Sequence, residues 1–169
     1  MHVILTGDRN AGKTTVVESI VGRLHERGVT PVGFYTVGGP DQLELVAAET
    51  GERIHFATQA DDRGIEVGRY TIDPAAIERG LELADRDGDV LVADEIGRLE
   101  QRGGGFAPLL EGLHAGRHRG VVLSVRKGLT EFALEAFPDR EHVDVIEVTQ
   151  SNRSRLPDRV VETLLGDKP

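Results

Sequence analysis

The residues best suited to chemistry stand at positions 7–14 and 94–95. Gly7-Asp8-Arg9-Asn10-Ala11-Gly12-Lys13-Thr14 fits G-x-x-x-x-G-K-[ST], the pattern of a phosphate-binding P-loop. Gly7 and Gly12 let the backbone turn tightly and come close to phosphate oxygens. Main-chain N–H groups and the N-terminus of a following helix then face the anion. Lys13 can reach the β- and γ-phosphates, and the Thr14 hydroxyl can ligate Mg²⁺. Such a loop needs an acidic partner at the C-terminal end of another buried strand. Val90-Leu91-Val92-Ala93 followed by Asp94-Glu95 answers that need. Asp94 would hold Mg²⁺ through water, since Mg²⁺ keeps several of its waters. Glu95 would project toward the γ-phosphate, where a carboxylate orients and deprotonates an attacking water.

Other combinations are weaker. Asp85-Arg86-Asp87-Gly88-Asp89 has calcium-loop spacing at its start. Val90 then stands where the glycine must be, and no glutamate closes the loop. His114 and His118 are four apart, but Gly116 lies between them at a helix end, so they read as surface histidines rather than a zinc pair. Ser124 ends an apolar run and reads equally as a hydroxyl near the phosphate or as a buried strand serine.

The elements that must position these residues follow from hydrophobic pattern. His2 to Thr6 is a short apolar β-type run. Thr14 to Arg27 carries Val16, Val17, Ile20, Val21 and Leu24 at helical spacing, and Gly28 stops it. Pro31–Val37, Leu43–Ala47 and Arg53–Ala57 are strands separated by short turns, which is a meander. Gln59 to Gly64 is a polar loop. Gly68 to Asp73 reads as one short strand, and Pro74 opens a helix to about Ala84. After the acidic pair come a flexible Gly103-Gly104-Gly105, a helix from Phe106 to Gly116 and a buried strand Gly120–Val125. A helix Leu129–Phe137, a strand Val143–Val148 and a helix Pro157–Leu165 complete the chain. Strands and helices alternate outside the meander, so the expected fold is an α/β sandwich with a mostly parallel sheet.

Composition narrows the class. The 169 residues suit one domain spanning 1–169, and 38% apolar with 29% charged suits a soluble protein. No apolar run is long enough for a transmembrane helix. The start of the chain reads as a strand entering a charged loop rather than a signal peptide. The absence of cysteine removes disulfides, thiol nucleophiles and cysteine metal sites, and fits a cytoplasmic location. A net charge of −9 without a lysine cluster argues against nucleic acid as a partner. Lysine is scarce, three against seventeen arginines, so Lys13 stands out.

Asp94-Glu95-Ile96-Gly97-Arg98-Leu99-Glu100 closely resembles D-E-I-G-[KR]-[ML]-E, a signature of the thermophile (THEP-type) and cancer-related nucleoside-triphosphatase family. Gly33-Phe34-Tyr35-Thr36 resembles the family's G-F-[YI]-T strand, and Gly68-Arg69-Tyr70 its G-x-Y segment. Val148-Thr149-Gln150-Ser151-Asn152-Arg153 resembles its late V-T-x-x-N-R. The likeness runs over nearly the whole chain. Two departures stand out. Val37-Gly38-Gly39-Pro40 replaces a charged, arginine-bearing segment, and Ser151 replaces an acidic residue. The resemblance implies a P-loop fold of three layers, with a mixed central sheet and helices on both faces. It implies Mg²⁺-dependent hydrolysis of nucleoside triphosphates to diphosphate and phosphate, tolerant of base identity. It assigns phosphate binding to Gly7 through Thr15, and metal and water to Asp94 and Glu95. Asn152 and Arg153 would border base or ribose, where a stacked arginine accepts any base. Arg98 would either stabilise charge on the transferring group or cap its loop, and Arg126 is a weaker candidate for that charge. Two alternatives stay open: a kinase passing the γ-phosphoryl to a small acceptor, and a nucleotide-dependent switch. Asp61-Asp62-Arg63-Gly64 is short and acidic for an acceptor lid, and no N-K-x-D guanine motif is present.

Overall fold

The computed structural model describes residues 1–59 and 63–166. The polar stretch from Gln59 to Gly64, with Asp61-Asp62, therefore falls partly outside the described residues. In chain order the first half holds β1 (His2–Thr6), α1 (Lys13–Glu26), β2 (Pro31–Gly38), β3 (Gln42–Ala47), β4 (Arg53–Gln59), β5 (Ile65–Val67), β6 (Tyr70–Ile72) and α2 (Pro74–Ala84). The second half holds β7 (Val90–Ile96), α3 (Arg98–Gln101), α4 (Ala107–Gly112), β8 (Gly120–Val125), α5 (Thr130–Leu134), β9 (Val143–Glu147) and α6 (Leu156–Leu165). These nine strands make one sheet, ordered β5-β6-β4-β3-β2-β7-β8-β1-β9.

Strands β2, β7, β8, β1 and β9 are parallel neighbours. The central β7 and β8 are buried almost throughout because both faces are covered, whereas the edge strand β9 carries Asp144 and Glu147 and leaves Val145 exposed. Alternation along each strand divides the core. Ile4, Phe34, Leu91, Ala93 and Leu123 face α2, α4 and α5, while Val3, Leu5, Val90, Val92 and Val122 face α1 and α6. Each such fully buried Val or Leu contributes on the order of 1.5–3 kcal/mol against exposure. Phe34, Phe56 and Phe106 stack in the first layer, with centroids 4.3 and 5.9 Å apart. Gly80 in α2 makes room there, since a Cβ would come within 2.6 Å of the Phe106 ring.

The antiparallel wing is larger than the meander of β2, β3 and β4. A short hairpin, β5 and β6, extends it. Gly68 and Arg69, expected inside a strand, form its turn, with Gly68 left-handed at φ 58. Two further differences lie near the acidic pair. The one-turn helix α3 follows β7 directly. Of the three glycines after it, expected as a flexible tract, Gly104 and Gly105 pack back against α3, while Gly103 faces open space. A Cβ on Gly104 would meet Leu99 at 2.8 Å, and one on Gly105 would meet Glu100 at 2.5 Å. The helix expected over 106–116 divides into α4 and a 3-10 turn, Leu113–Ala115, and α5 occupies only part of 129–137.

Candidate active site

The P-loop leaves the C-terminal end of β1 and enters α1. It turns on three left-handed residues, Gly7 (φ 145), Asn10 (φ 66) and Gly12 (φ 102). Gly7 must also be glycine for space, because a Cβ would lie 2.7 Å from the carbonyl oxygen of Val148. Helix α1 has no side-chain N-cap and no acidic residue in its first turn. Its first amides are therefore left for an external anion. Lys13 folds back over the loop and donates to the carbonyls of Gly7 (2.7 Å) and Asp8 (3.0 Å). Burial pulls its ammonium below the usual lysine range, while Glu95, Asp94 and Asp8 oppose that shift.

Strand β8 lies between β1 and β7, so the acidic pair reaches the loop across it. Asp94 is 1% exposed. Its Oδ2 accepts from the Thr14 hydroxyl at 2.9 Å and from the Thr36 amide at 3.0 Å, and its Oδ1 accepts from the Ser124 hydroxyl. Burial raises the Asp94 carboxyl, and these donors together with the Glu95 amide pull it back. The pairing of β7 with β8 slips between Ala93 and Ile96, a β-bulge at the acidic pair. There Glu95 takes φ 64, a left-handed conformation unusual for a non-glycine residue and costing on the order of 1–3 kcal/mol. The Glu95 amide, removed from the regular ladder, donates to Ser124 Oγ at 2.9 Å. Glu95 meets solvent at the mouth of the site. Protein packed around its carboxyl and the Asp94 charge both raise it, against Lys13 and Arg9.

All candidate donors for a cation here are oxygens, the Thr14 hydroxyl and the Asp94 carboxylate, which suits a hard ion such as Mg²⁺. Among the described residues no three His, Cys, Asp or Glu side chains cluster as a metal cage. A cation would therefore be completed by water and substrate oxygens. Thr15, beside this pair, is exposed. At the far end of the loop the Arg153 side chain lies against Gly12, where a Cβ would meet its Cδ at 3.1 Å.

A family model described as NTPase matches residues 2–161. The chain belongs to the NTPase family. Nucleoside-triphosphatase THEP1 of Caldivirga maquilingensis is 35% identical over 129 residues, 73% of this chain and 75% of that protein. THEP1 of Methanopyrus kandleri is 28% identical, over 97% of this chain and 95% of its own. Among solved structures, THEP1 from the hyperthermophile Aquifex aeolicus superposes with a TM-score of 0.76 at 27% identity, covering 97% of this chain and 99% of that one. A human cancer-related nucleoside triphosphatase superposes with a TM-score of 0.78 at 26% identity, covering 99% of each chain.

Within this family member, the structure brings Gly7 to Thr14, Asp94 and Glu95 to one edge of the sheet. Asn152 spends its side chain on its own loop. Its Oδ1 accepts from the Thr149 amide and its Nδ2 donates to the Glu147 carbonyl, both at 2.8 Å, so it ties its own loop together. That loop delivers Arg153 to the P-loop. Arg98 and Arg126 are exposed and make no side-chain hydrogen bond or ion pair with a described residue. Sequence reasoning left three partners unassigned. Ser124 bridges both acidic residues, and its signal was a hydroxyl inside an apolar run. Thr36 acts through its backbone amide, which no side-chain pattern reveals. Lys127 pairs with Asp8 at 3.1 Å, signalled only by the rarity of lysine.

Proposed function

We propose that this protein hydrolyses nucleoside triphosphates to the diphosphate and phosphate, with Mg²⁺ and little regard for the base. The observation that carries the reading is the join between the two halves of the site: the Thr14 hydroxyl of the P-loop donates to buried Asp94, whose neighbour Glu95 faces the same space. The substrate phosphates lie along Gly7 to Thr15, bound by main-chain amides and Lys13. Mg²⁺ held by Thr14, and by Asp94 through water, would draw charge from the phosphate oxygens. Glu95 orients a water in line with the γ-phosphorus and accepts its proton. The new bond forms between the water oxygen and γ-phosphorus. The bond from γ-phosphorus to the bridging oxygen breaks, and that electron pair leaves on the diphosphate. Arg153 lies toward the base and ribose end, positioned by Asn152. Such contacts read a ring face rather than base edges, in keeping with base tolerance. A cytoplasmic location accords with the composition, and among the described residues no helix is long and apolar enough to cross a membrane.

The test is phosphate release from ATP, GTP, CTP and UTP with Mg²⁺, beside Glu95→Gln. Release from several nucleotides, falling on the order of 10²–10⁴-fold in the variant while nucleotide binding persists, is the expected result. A variant as fast as the parent removes Glu95 from the water. No release, with phosphoryl transfer to an added acceptor, replaces hydrolysis with a kinase reaction.

A further inference from the structure

Of the three lysines in the chain, Lys168 lies outside the described residues. The other two converge on one P-loop residue. Lys13 donates to the Asp8 carbonyl at 3.0 Å, and Lys127 donates to its carboxylate Oδ1 at 3.1 Å. Lys127 follows β8, and its loop is anchored on both sides. The Arg126 amide donates to the Ile96 carbonyl at 3.0 Å, and the Leu129 amide donates to the Arg126 carbonyl at 3.1 Å. Gly128, at φ 90, makes the turn between them. One strand thus presents Ser124 to Asp94 and, three residues later, Lys127 to the P-loop.

The loop has a direction. The Lys13 ammonium, the group that reaches β- and γ-phosphates, rests at Gly7 and Asp8. That end is therefore the γ end, and the Gly12 end, under Arg153, is the other. Lys127 stands at the γ end. Its pair with Asp8 contributes little to folding, since the two side chains are 61% and 75% exposed. Asp8 keeps the Lys127 ammonium charged, with a smaller contribution from Glu147, and holds it over the loop.

We infer that Lys127 is a second phosphate-facing cation, which exchanges the Asp8 carboxylate for a γ-phosphate oxygen when a triphosphate seats. The inference rests on the triphosphatase reading above and names the residue that completes its charge. The site otherwise sets Asp8, Asp94 and Glu95 against Lys13 and Arg9, and a triphosphate adds further negative charge. Many P-loop hydrolases import an arginine from a partner to meet that demand. Here a lysine of the same chain supplies it. No bond to Lys127 forms. Its N–H donors follow the γ-oxygens as the bond to the bridging oxygen lengthens. A diphosphate has no γ group and gains nothing from it.

The experiment compares the parent with Lys127→Ala and Lys127→Arg in MgATP turnover, and in binding of ADP and of a non-hydrolysable ATP analogue. In Lys127→Ala, kcat/KM is expected to fall on the order of 10²-fold. Affinity for the ATP analogue should fall about tenfold while ADP affinity stays within about twofold. Lys127→Arg should recover most of both. Parent-like turnover with a parent-like ratio of ATP-analogue to ADP affinity overturns the inference. Equal weakening of both nucleotides overturns it too, because the lysine would then steer any phosphate. If the parent itself hydrolyses nothing, the triphosphatase reading fails, and the affinity ratio still decides Lys127.

Discussion

The two halves of the sheet treat charged side chains differently. At the C-terminal edge of the parallel half, Thr36, Asp94 and Ser124 are each 4% exposed or less and converge on one space. In the antiparallel wing and the α2 surface beside it, charge stays outside. Arg53 pairs with Glu44, and Arg79 with Glu52 and Glu82, all on the surface. A buried carboxylate is costly unless several donors meet it. Among the described residues it occurs in this half and not in the wing, which is why this edge is the candidate site. Parallel topology explains the choice. It brings the ends of β2, β7, β8 and β1 to one edge, whereas antiparallel neighbours send their ends to opposite edges.

The contrast is broken most severely by disturbing Asp94. The Asp94→Asn exchange would place an amide group where three donors now meet two oxygens, so at least one of Thr14, Thr36 or Ser124 would face another donor. It is expected to raise the Mg²⁺ concentration for half-maximal turnover about 10- to 100-fold. A magnesium titration checks it, and an unshifted curve removes Asp94 from the metal site. A smaller effect is expected at Ser124. Its one proton goes to Asp94, and its lone pairs accept the Glu95 amide. Ser124→Ala takes a partner from the Asp94 Oδ1 and from the Glu95 amide, at a cost of about 1–3 kcal/mol to stability. Turnover should fall about tenfold through misplaced Glu95, with ADP affinity unchanged. Ser124→Thr keeps the hydroxyl and should recover turnover. Failure of that rescue would make the serine a packing residue only.

These two residues also show what the sequence could and could not convey. Asp94 was legible because a strand buried on both faces must be apolar throughout, so an acid at its end is conspicuous. The P-loop was legible because its glycines answer a steric demand that Gly7 meets literally against Val148. The bulge was not, since nothing in Ala93-Asp94-Glu95-Ile96 signals a left-handed glutamate. That conformation depends on a hydroxyl 29 residues away. The β5–β6 hairpin was missed for a different reason. Strands of three residues show too little alternation to establish a period.

Glu100 sharpens the comparison with a third case, a buried acid serving structure beside the site. It is 5% exposed, and its Oε1 accepts from the Gly97 amide at 3.1 Å, closing α3 behind the acidic pair. Burial lifts its carboxyl to about 7, against the Gly97 and Phe106 amides. The folded state therefore holds a proton that the unfolded chain releases near 4.5. The stability tied to that proton is fully present below the unfolded value and is lost as pH rises through about 7. A shift of this size corresponds to roughly 3 kcal/mol. Glu100→Gln keeps an acceptor for Gly97 and has no proton to lose. Urea unfolding should find the variant close to the parent at pH 4 and more stable than it at pH 8. A constant difference across pH would locate the effect in packing instead.

The smallest effect belongs to the wing side. Arg79 joins α2 to the turn before β4 through Glu52 and pairs with Glu82 on its own helix, both at 3.1 Å. These contacts look more extensive than the single hydrogen bond from Thr14 to Asp94. They lie in water, however, where screening and side-chain entropy offset most of the attraction. Arg79→Ala should leave phosphate release unchanged and lower the melting temperature only slightly at low salt. In about 1 M salt, where charges more than roughly 3 Å apart are screened, the difference should disappear. A loss of turnover in this variant would couple the wing to the catalytic edge through β2, the strand the two halves share. The division between a chemical half and a structural half would then fail at that strand.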